Sequence, residues 1–535
     1  MKRALAASAG LLLTTGCFWA AAPPPPPAPP PPPPPMMEPM PPMAPPLPMT
    51  RTSGRPETNT EAYAAIAENA FRAVEHEPLS TFSVDVDRAS YANVRRFLME
   101  GRRPPRDAVR IEEMINYFPY APPAQRGDGP IAVVTEVADA PWRAGHRLLR
   151  IGLSTPPVDM RSAPAANLVF LIDVSGSMNG PDRLPLVQRS LRLLVNQLRE
   201  DDRVAMVVYA GAAGLVLPST RGSDRRTILD AIERLEVGGS TAGGAGLRMA
   251  YDVARSNFIP GGNNRVILAT DGDFNVGESS DAAMVQLIEE KRREGTFLTV
   301  LGFGRGNLKD SKMEQLADRG NGNYAYIDNL LEARKVLVSE MGGTLLTVAK
   351  DVKLQVEFNP ARVRAYRLIG YENRLLANQD FNDDTRDAGE MGAGHTVTAL
   401  YEIIPVGVRS DAVVRGVDSL RYRTAAPAPT PAGSGELAFV KVRYKLPDGD
   451  TSRLLEHPVR ETGAVASADF TFATAVAGFG MLLRESEHRG TLTLDQVLRL
   501  AEGSRGADPE GYRGEFVRLA RLFGDMQPQR AGTDR

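Results

Sequence analysis

The stretch NLVFLIDVSGSMNG runs from Asn167 to Gly180 and joins an apolar run to one aspartate and a small, hydroxyl-rich loop. The apolar run is typical of a strand that is buried on both faces of a sheet. The loop after it places Ser175, Gly176 and Ser177 shortly after Asp173. A loop of this composition can cradle a phosphate, present a nucleophilic serine or hold a metal ion. These residues alone leave all three uses open.

Apolar runs alternate with helical patterns from Asn167 to Ala349, which predicts a doubly wound α/β domain with a mainly parallel sheet over residues 165–349. The predicted strands are Asn167–Asp173, Arg203–Ala210, Leu215–Pro218, Arg265–Asp271, Thr296–Gly302 and Tyr324–Ile327. Two helices between them have apolar faces that predict packing against the sheet, formed by Leu184, Val187, Leu191, Leu194 and Leu198 and by Ile228, Ile232 and Leu235.

Ligands of doubly wound sheets bind beyond the carboxyl ends of the strands, so the loops at those ends are the candidate sites. The loop after the first strand offers oxygen atoms of Asp173, Ser175 and Ser177 at alternate positions. The glycine-rich loop VGGSTAGGAG contributes Ser240 and Thr241, and in ATDGDFNVG Thr270 and Asp271 follow the end of a later strand. All three loops present hard oxygen ligands, which favours a metal site.

Three elements occur in order: D-x-S-x-S after an apolar strand, a threonine in a glycine-rich loop, and TDG at the end of a later strand. In this order they resemble the metal-ion-dependent adhesion site of von Willebrand factor type A domains. The resemblance implies a Rossmann-like fold and five metal-binding positions, Asp173, Ser175, Ser177, Thr241 and Asp271. It also implies that the serines and the threonine coordinate through hydroxyls, and one or both aspartates through water.

Oxygen ligands of this kind suit Mg2+ first, with Mn2+ or Ca2+ as alternatives, because no histidine or thiol in these loops favours zinc. Two aspartates offset the charge of the ion and neutral hydroxyls complete its shell, which leaves one open coordination position. A carboxylate from an Asp or Glu of a protein partner would fill this position. The expected function is therefore non-catalytic binding of a protein ligand whose identity the sequence does not give.

An enzyme is the less favoured hypothesis because the serines of the loop lack a base. The histidines are scattered and lie outside the three loops, at His76, His146, His395, His457 and His488. VSGSM also lacks the G-x-S-x-G elbow, and no motif supplies the general base of a metal-dependent hydrolase. The chain has no G-x-x-x-x-G-K-[ST] motif for a nucleotide, and its net charge of -2 gives no bias towards nucleic acid.

The N-terminus has the pattern of a targeting segment, with basic Lys2 and Arg3, an apolar stretch from Leu5 to Leu13 and small residues before Cys17. LLLTTGC resembles the lipobox of bacterial lipoproteins, which implies a signal peptide over residues 1–17 and lipidation of Cys17. The alternative is an ordinary cleaved signal with an incidental cysteine. Residues 18–56 are proline-rich and predict a disordered spacer, whose polyproline part would extend by roughly 80 Å. We therefore expect a lipid-anchored protein of the bacterial cell envelope, at the outer membrane or the periplasmic face.

The sequence predicts three further regions: a helical N-terminal segment over residues 57–125, a β-sandwich from residues 126–160 and 350–460, and a helical C-terminal region over residues 461–527. In the N-terminal segment, Glu61–Val74 has helical spacing, and Asp87 or Ser90 can cap a later helix. Helices are also expected over Ser467–Arg484 and Leu494–Phe523. Gly478 and Gly480 in the first of these indicate close helix packing.

Residues beyond the α/β domain extend the resemblance. Pro78–Phe118 and Asp387–Ile403 resemble segments of a bacterial lipoprotein family in which a von Willebrand factor type A domain lies between an N-terminal segment and a C-terminal domain of unknown function. Three hypotheses follow: metal-dependent binding of a protein ligand, a structural envelope scaffold whose metal stabilises the loops, and a metal-dependent hydrolase.

Overall fold

The computed structural model describes residues 60–84, 87–122, 129–159, 161, 163–238, 243–272, 281–386, 388–415, 435–447 and 449–527. All of these residues belong to one compact unit, Glu57–Arg535. The predictions for the signal peptide, Cys17, the proline-rich spacer and Thr241 lie outside the described residues. Within the described ranges, no helix combines the length and the apolar character needed to cross a membrane.

Strands and helices are numbered along the chain. The strands are β1 (Phe71–Ala73), β2 (Leu79–Ser83), β3 (Ala132–Asp139), β4 (Arg147–Ser154), β5 (Ala166–Asp173), β6 (Arg203–Tyr209), β7 (Ala213–Arg221), β8 (Asn263–Thr270), β9 (Thr296–Phe303), β10 (Tyr324–Ile327), β11 (Thr347–Phe358), β12 (Val363–Ile369), β13 (Gly389–Gly392), β14 (Thr396–Pro405), β15 (Val414–Arg415), β16 (Glu436–Lys445) and β17 (Arg453–Arg460). The helices are α1 (Ala89–Met99), α2 (Ile111–Asn116), α3 (Leu184–Val195), α4 (Arg225–Glu233), α5 (Gly243–Ser256), α6 (Asp281–Arg293), α7 (Asp310–Arg319), α8 (Leu330–Arg334), α9 (Met341–Leu345), α10 (Ala468–Arg484), α11 (Leu494–Gly503) and α12 (Tyr512–Asp525).

A six-stranded sheet in the order β10-β9-β8-β5-β6-β7 forms the centre of the α/β domain. Its strands pair in parallel except β7, which runs antiparallel to β6 at one edge. Every residue of β5 is buried, as expected for a central strand with helices on both faces. The six strands predicted for this domain are all present, and the doubly wound, mainly parallel fold is confirmed.

Helices cover the two faces of this sheet and form two separate apolar cores. On one face, α3 and α4 bury the predicted apolar positions against β5 and β6, including Leu184, Leu191 and Ile232. On the other face, α5, α6 and α7 pack against the same sheet through side chains such as Leu247 and Ile288. The apolar faces predicted for α3 and α4 are therefore confirmed as core surfaces.

Two antiparallel sheets form a β-sandwich from chain segments on both sides of the α/β domain. β3 and β4 precede the domain and β12 and β14 follow it, yet all four pair in the sheet β15-β1-β12-β14-β4-β3. The second sheet runs β13-β11-β16-β17, and β2 also pairs with β11. Side chains from both sheets, such as Ile151, Val356, Tyr401 and Val442, share one core. The prediction that the α/β domain is inserted in a β-sandwich is confirmed.

The prediction of a helix over Glu61–Val74 is wrong. Residues 61–70 form no helix, and β1 pairs antiparallel with β12. The backbone N–H of Ala62 donates to the carbonyl oxygen of Leu308 at 3.0 Å, and that of Ile66 donates to Oδ1 of Asp107 at 3.0 Å. These backbone N–H groups, which would donate within a helix, thus donate to distant parts of the chain. These contacts outweigh the helix preference of the alanines.

The capping prediction for α1 is also wrong, since no side chain of the described residues caps this helix at Arg88. Asp87 instead accepts a hydrogen bond from the backbone N–H of Tyr324 at 2.8 Å. The backbone N–H of Ser90 donates to the carboxylate of Glu113 at 2.8 Å. A carboxylate from α2 therefore does what a local cap would do, because it satisfies an N–H in the first turn of α1.

The C-terminal helices pack with α1 and α2 around a further apolar core. The helical region predicted over Leu494–Phe523 consists of two helices, because the chain turns at Gly506 and Gly511, which both have positive φ. A Cβ on Gly480 of α10 would lie 2.8 Å from Cγ1 of Ile111. This distance confirms the close packing expected for this glycine.

Candidate metal centre

The carboxyl ends of β5 and β8 lie side by side at one edge of the α/β sheet, which we call the metal edge. The two strands pair in parallel with Ile172 opposite Ala269, so that Asp173 stands beside Thr270 and the following Asp271. Both aspartates are fully buried. The structure thus brings two predicted metal-site residues from separate loops to the same place.

The carboxylate of Asp173 accepts several hydrogen bonds. Its Oδ1 accepts from the backbone N–H of Ser175 at 2.9 Å, and its Oδ2 accepts from the hydroxyls of Tyr209 at 3.0 Å and Thr270 at 3.1 Å. Burial, together with the negative charge of Asp271, raises the pKa of Asp173 to about 6, although the hydrogen bonds lower it. The ionised carboxylate therefore lies in a buried place where a bound cation would stabilise it.

Ser175 and Ser177 are brought together by a short 3-10 turn, Gly176–Met178, that follows β5. Their Oγ atoms are 3.0 Å apart. Ser175 is only 2% exposed, whereas Ser177 is partly exposed. Two hydroxyl oxygens therefore lie next to Asp173, at the alternate spacing that metal-binding loops use.

Asp271 is held by side chains from two neighbouring loops. Its Oδ2 accepts from Nδ2 of Asn307 at 3.1 Å, and Nε of Arg183 lies 3.9 Å from the same oxygen. Arg183 also donates to the carbonyl oxygens of Ser177 at 2.8 Å and Arg305 at 2.6 Å. One guanidinium thus joins the loop after β5, the loop after β8 and the loop after β9.

Sequence reasoning missed Tyr209, Asn307 and Arg183 as parts of this site. Tyr209 ends β6 and stands opposite Asp173 in the parallel pairing, so the strand register would have found it. Asn307 follows β9, and a polar side chain at that end of the sheet was the available signal. Nothing in the sequence indicated Arg183, because its contacts depend on how three loops fold together.

The donors at the metal edge fit a hard divalent cation, because Asp173, Asp271, Ser175 and Ser177 offer oxygen atoms only. Among the described residues, no three side chains of His, Cys, Asp and Glu cluster as metal ligands. A metal here would therefore depend on the serine hydroxyls as well as on the two carboxylates. The fifth predicted ligand, Thr241, lies outside the described residues.

His146 lies between a serine and a carboxylate in the β-sandwich, which tests the enzyme hypothesis. Its Nδ1 is 2.6 Å from Oε1 of Glu402, and its Nε2 is 2.7 Å from Oγ of Ser410. Arg367 also donates to Glu402 at 3.0 Å, and the pKa of Glu402 falls to about 2 because His146 and Arg367 together outweigh burial, which raises it. A carboxylate already paired with an arginine stabilises an imidazolium poorly, so this group is better explained as a structural network.

Three family models match this chain. The model described as von Willebrand factor type A domain matches residues 167–338, and the model described as von Willebrand factor matches residues 57–150. The model described as uncharacterized protein YfbK, C-terminal, matches residues 343–526. The loops with Asp173 and Asp271 lie within the first of these matches.

Several known proteins are similar to this chain. The uncharacterized protein YfbK of Escherichia coli (strain K12) is 46% identical over 471 residues, which cover 86% of this chain and 81% of that protein. The uncharacterized protein sll0103 of Synechocystis sp. is 30% identical over 200 residues, which cover 36% of this chain and 45% of that protein. A solved structure, von Willebrand factor type A from Catenulispora acidiphila, is 17% identical, with a TM-score of 0.41 over 74% of this chain and 91% of that chain.

Proposed function

This chain belongs to the YfbK family of proteins with a von Willebrand factor type A domain, and on that basis we propose that it binds a protein ligand through a divalent metal at the metal edge. A domain of this type is consistent with a role in protein interaction. The observation that supports the proposal most is the pair of fully buried carboxylates, Asp173 and Asp271, beside the hydroxyls of Ser175 and Ser177.

The residues of the metal edge have different roles in the proposed metal binding. Asp173 and Asp271 provide the negative charge that offsets the ion, and Ser175 and Ser177 provide neutral oxygens that add no further negative charge. The hydroxyl of Tyr209 fixes the orientation of Asp173. When bound, the metal supplies a positive centre that attracts an Asp or Glu carboxylate of the partner. Mg2+ is the expected ion, with Mn2+ or Ca2+ as alternatives.

A stabilising metal without a ligand is the second candidate, and the loop contacts favour binding over it. Arg183 already joins the loops after β5 and β9 through Ser177 and Arg305, and Asn307 already holds Asp271. Since protein side chains connect these loops, a metal is not needed to hold them together. A metal-dependent hydrolase, the third candidate, would need a general base at the metal edge in addition to the metal.

We also propose that the chain works as a lipoprotein of the bacterial cell envelope, anchored through Cys17 and spaced from the membrane by residues 18–56. The support is the targeting pattern before Cys17 and the proline-rich composition after it. In cells, Cys17→Ser should move the protein from the membrane fraction to the soluble fraction. Retention of the variant in the membrane fraction would show that the lipid anchor is wrong.

The binding proposal is tested by capture from envelope extract on the immobilised chain. We expect a protein to be retained in Mg2+, released by a chelator, and not retained by the Asp173→Asn variant. Asn keeps the size of the side chain, and circular dichroism of the variant controls for folding. Equal capture in Mg2+ and in chelator would refute a metal-dependent ligand. A melting temperature that falls in chelator without any change in capture would favour the scaffold alternative.

A further inference from the structure

The segment Thr60–Tyr63, which we call the strap, contacts the loop Gly304–Lys309, which we call the bridging loop. The backbone N–H of Thr60 donates to the carbonyl oxygen of Gly306 at 2.7 Å, and that of Ala62 donates to the carbonyl oxygen of Leu308 at 3.0 Å. In the reverse direction, the backbone N–H of Gly306 donates to Oε1 of Glu61 at 2.8 Å. The strap and the bridging loop are therefore joined in both directions by hydrogen bonds.

Glu61 is fixed independently of the bridging loop. Its two carboxylate oxygens accept from Arg96 at 3.0 Å and 3.1 Å, and Tyr63 donates to the same carboxylate at 3.2 Å. The side chain of Glu61 is 4% exposed and that of Arg96 is 8% exposed. A buried, two-pronged ion pair of this kind fixes position as well as adding energy. Glu61 can therefore hold Gly306 in place instead of following it.

The opposite side of the bridging loop reaches the metal edge. Asn307 donates to Asp271, and Arg183 donates to the carbonyl oxygen of Arg305. The fit is tight at Gly272, where an added Cβ would lie 2.7 Å from the carbonyl oxygen of Asn307. A shift of the bridging loop would therefore move the group that orients Asp271.

We propose that the strap is a positioning element of the metal centre: Glu61, held by Arg96, keeps the bridging loop where Asn307 orients Asp271 for the metal. This inference rests on the metal-binding function proposed above. Metal binding and strap docking favour the same position of the bridging loop, so each strengthens the other by linkage.

Calorimetric titration of the full chain with Mn2+ tests this role. Glu61→Ala removes the acceptor of the Gly306 N–H, and we expect it to weaken Mn2+ binding by about five- to tenfold. Glu61→Gln keeps an acceptor oxygen and should weaken binding less. The matched control is Asn69→Ala, which removes two hydrogen bonds from the same N-terminal segment to Leu368 and Gly370 without touching the bridging loop. Its Mn2+ affinity should stay within twofold of the unmodified chain.

Hydrogen exchange gives a second readout that does not depend on the variants. In the unmodified chain, Mn2+ should slow exchange in peptides that cover Thr60–Tyr63. Unchanged exchange, unchanged affinity in Glu61→Ala, or an equal loss in Glu61→Ala and Asn69→Ala would each overturn the positioning role. Failure of the unmodified chain to bind Mn2+ would overturn the proposed function, and this inference with it.

Discussion

Asp173 at the metal edge and Glu61 in the strap are both buried acids, but their surroundings shift their pKa values in opposite directions. Glu61 accepts two hydrogen bonds from Arg96. Burial raises the pKa of Glu61, but Arg96, the N–H of Gly306 and the hydroxyl of Tyr63 together lower it below its usual value. Asp173 accepts from a backbone N–H and from hydroxyls, and burial raises its pKa to about 6. Among the described residues, no ion pair involves Asp173.

The difference separates an acid with its counter-charge in the chain from an acid that we propose as a metal ligand. The positive charge that Glu61 requires is part of the chain, so its pairing holds the fold together. The positive charge that Asp173 requires is not provided by a salt bridge, and a second carboxylate, Asp271, increases the need for it. A buried acid with hydroxyl neighbours and a raised pKa is therefore the better indicator of a ligand site.

The largest expected effect is that of Asp173→Asn on metal binding. Removing one of the two carboxylates should weaken Mn2+ binding at least a hundredfold, about 2.7 kcal/mol, as measured by calorimetric titration. Without metal, the same change should raise the free energy of unfolding at pH 8, because it removes a buried charge. The gain should be smaller at pH 5, below the pKa of about 6, since Asp173 is then mostly protonated. A gain that is equal at both pH values would contradict the raised pKa.

A pair of glycines tests how tightly the bridging loop is packed against the metal edge. Gly272 has a positive φ, and an added Cβ would lie 2.7–2.8 Å from backbone atoms of residues 307–309. Gly272→Ala should therefore lower the free energy of unfolding by about 2 kcal/mol. Gly306 also has a positive φ, but among the described residues no atom lies within 4 Å of an added Cβ. Gly306→Ala should therefore lower the free energy of unfolding by only about 1 kcal/mol. Urea denaturation measures both values, and equal costs would show that the packing at Gly272 is loose.

Asn69→Ala should affect stability alone. Asn69 donates to the carbonyl oxygens of Leu368 at 3.2 Å and Gly370 at 2.8 Å, and loss of these bonds should cost about 1 kcal/mol in urea denaturation. The expected contrast with Asp173→Asn is loss of stability without loss of metal affinity. A variant that lost both would indicate that the N-terminal segment and the metal edge unfold together.

The smallest expected effect is that of a serine-directed covalent probe. Because Arg367 shares the carboxylate of Glu402 with His146, Ser410 should not be activated. Treatment with a fluorophosphonate followed by mass spectrometry should leave Ser410 unlabelled, with an active serine hydrolase as positive control. Labelling of Ser410 that disappears in Ser410→Ala would instead show a catalytic serine in the β-sandwich.

The α/β domain could be predicted from sequence because its signals are local. Asp173, Ser175 and Ser177 lie within five residues of a buried strand, and the strands themselves are apolar runs. The strap could not be predicted in this way, because Glu61 and Ala62 take their partners from residues 96 and 306–308. Alanine-rich spacing predicted a helix there, and long-range hydrogen bonds replaced it. Asn307 follows β9, which was a signal in the sequence, but only the folded chain shows that it contacts Asp271.

The most direct test of a metal centre open to a partner is water proton relaxation with Mn2+ bound to the full chain. We predict that Mn2+ binds the chain and keeps at least one exchanging water. The relaxation enhancement should fall as a peptide with a single glutamate is added, and should not fall with the matching glutamine peptide. Absence of Mn2+ binding would contradict the metal centre. A relaxation enhancement that stays unchanged when the glutamate peptide is added would contradict a partner carboxylate that completes the coordination of the metal.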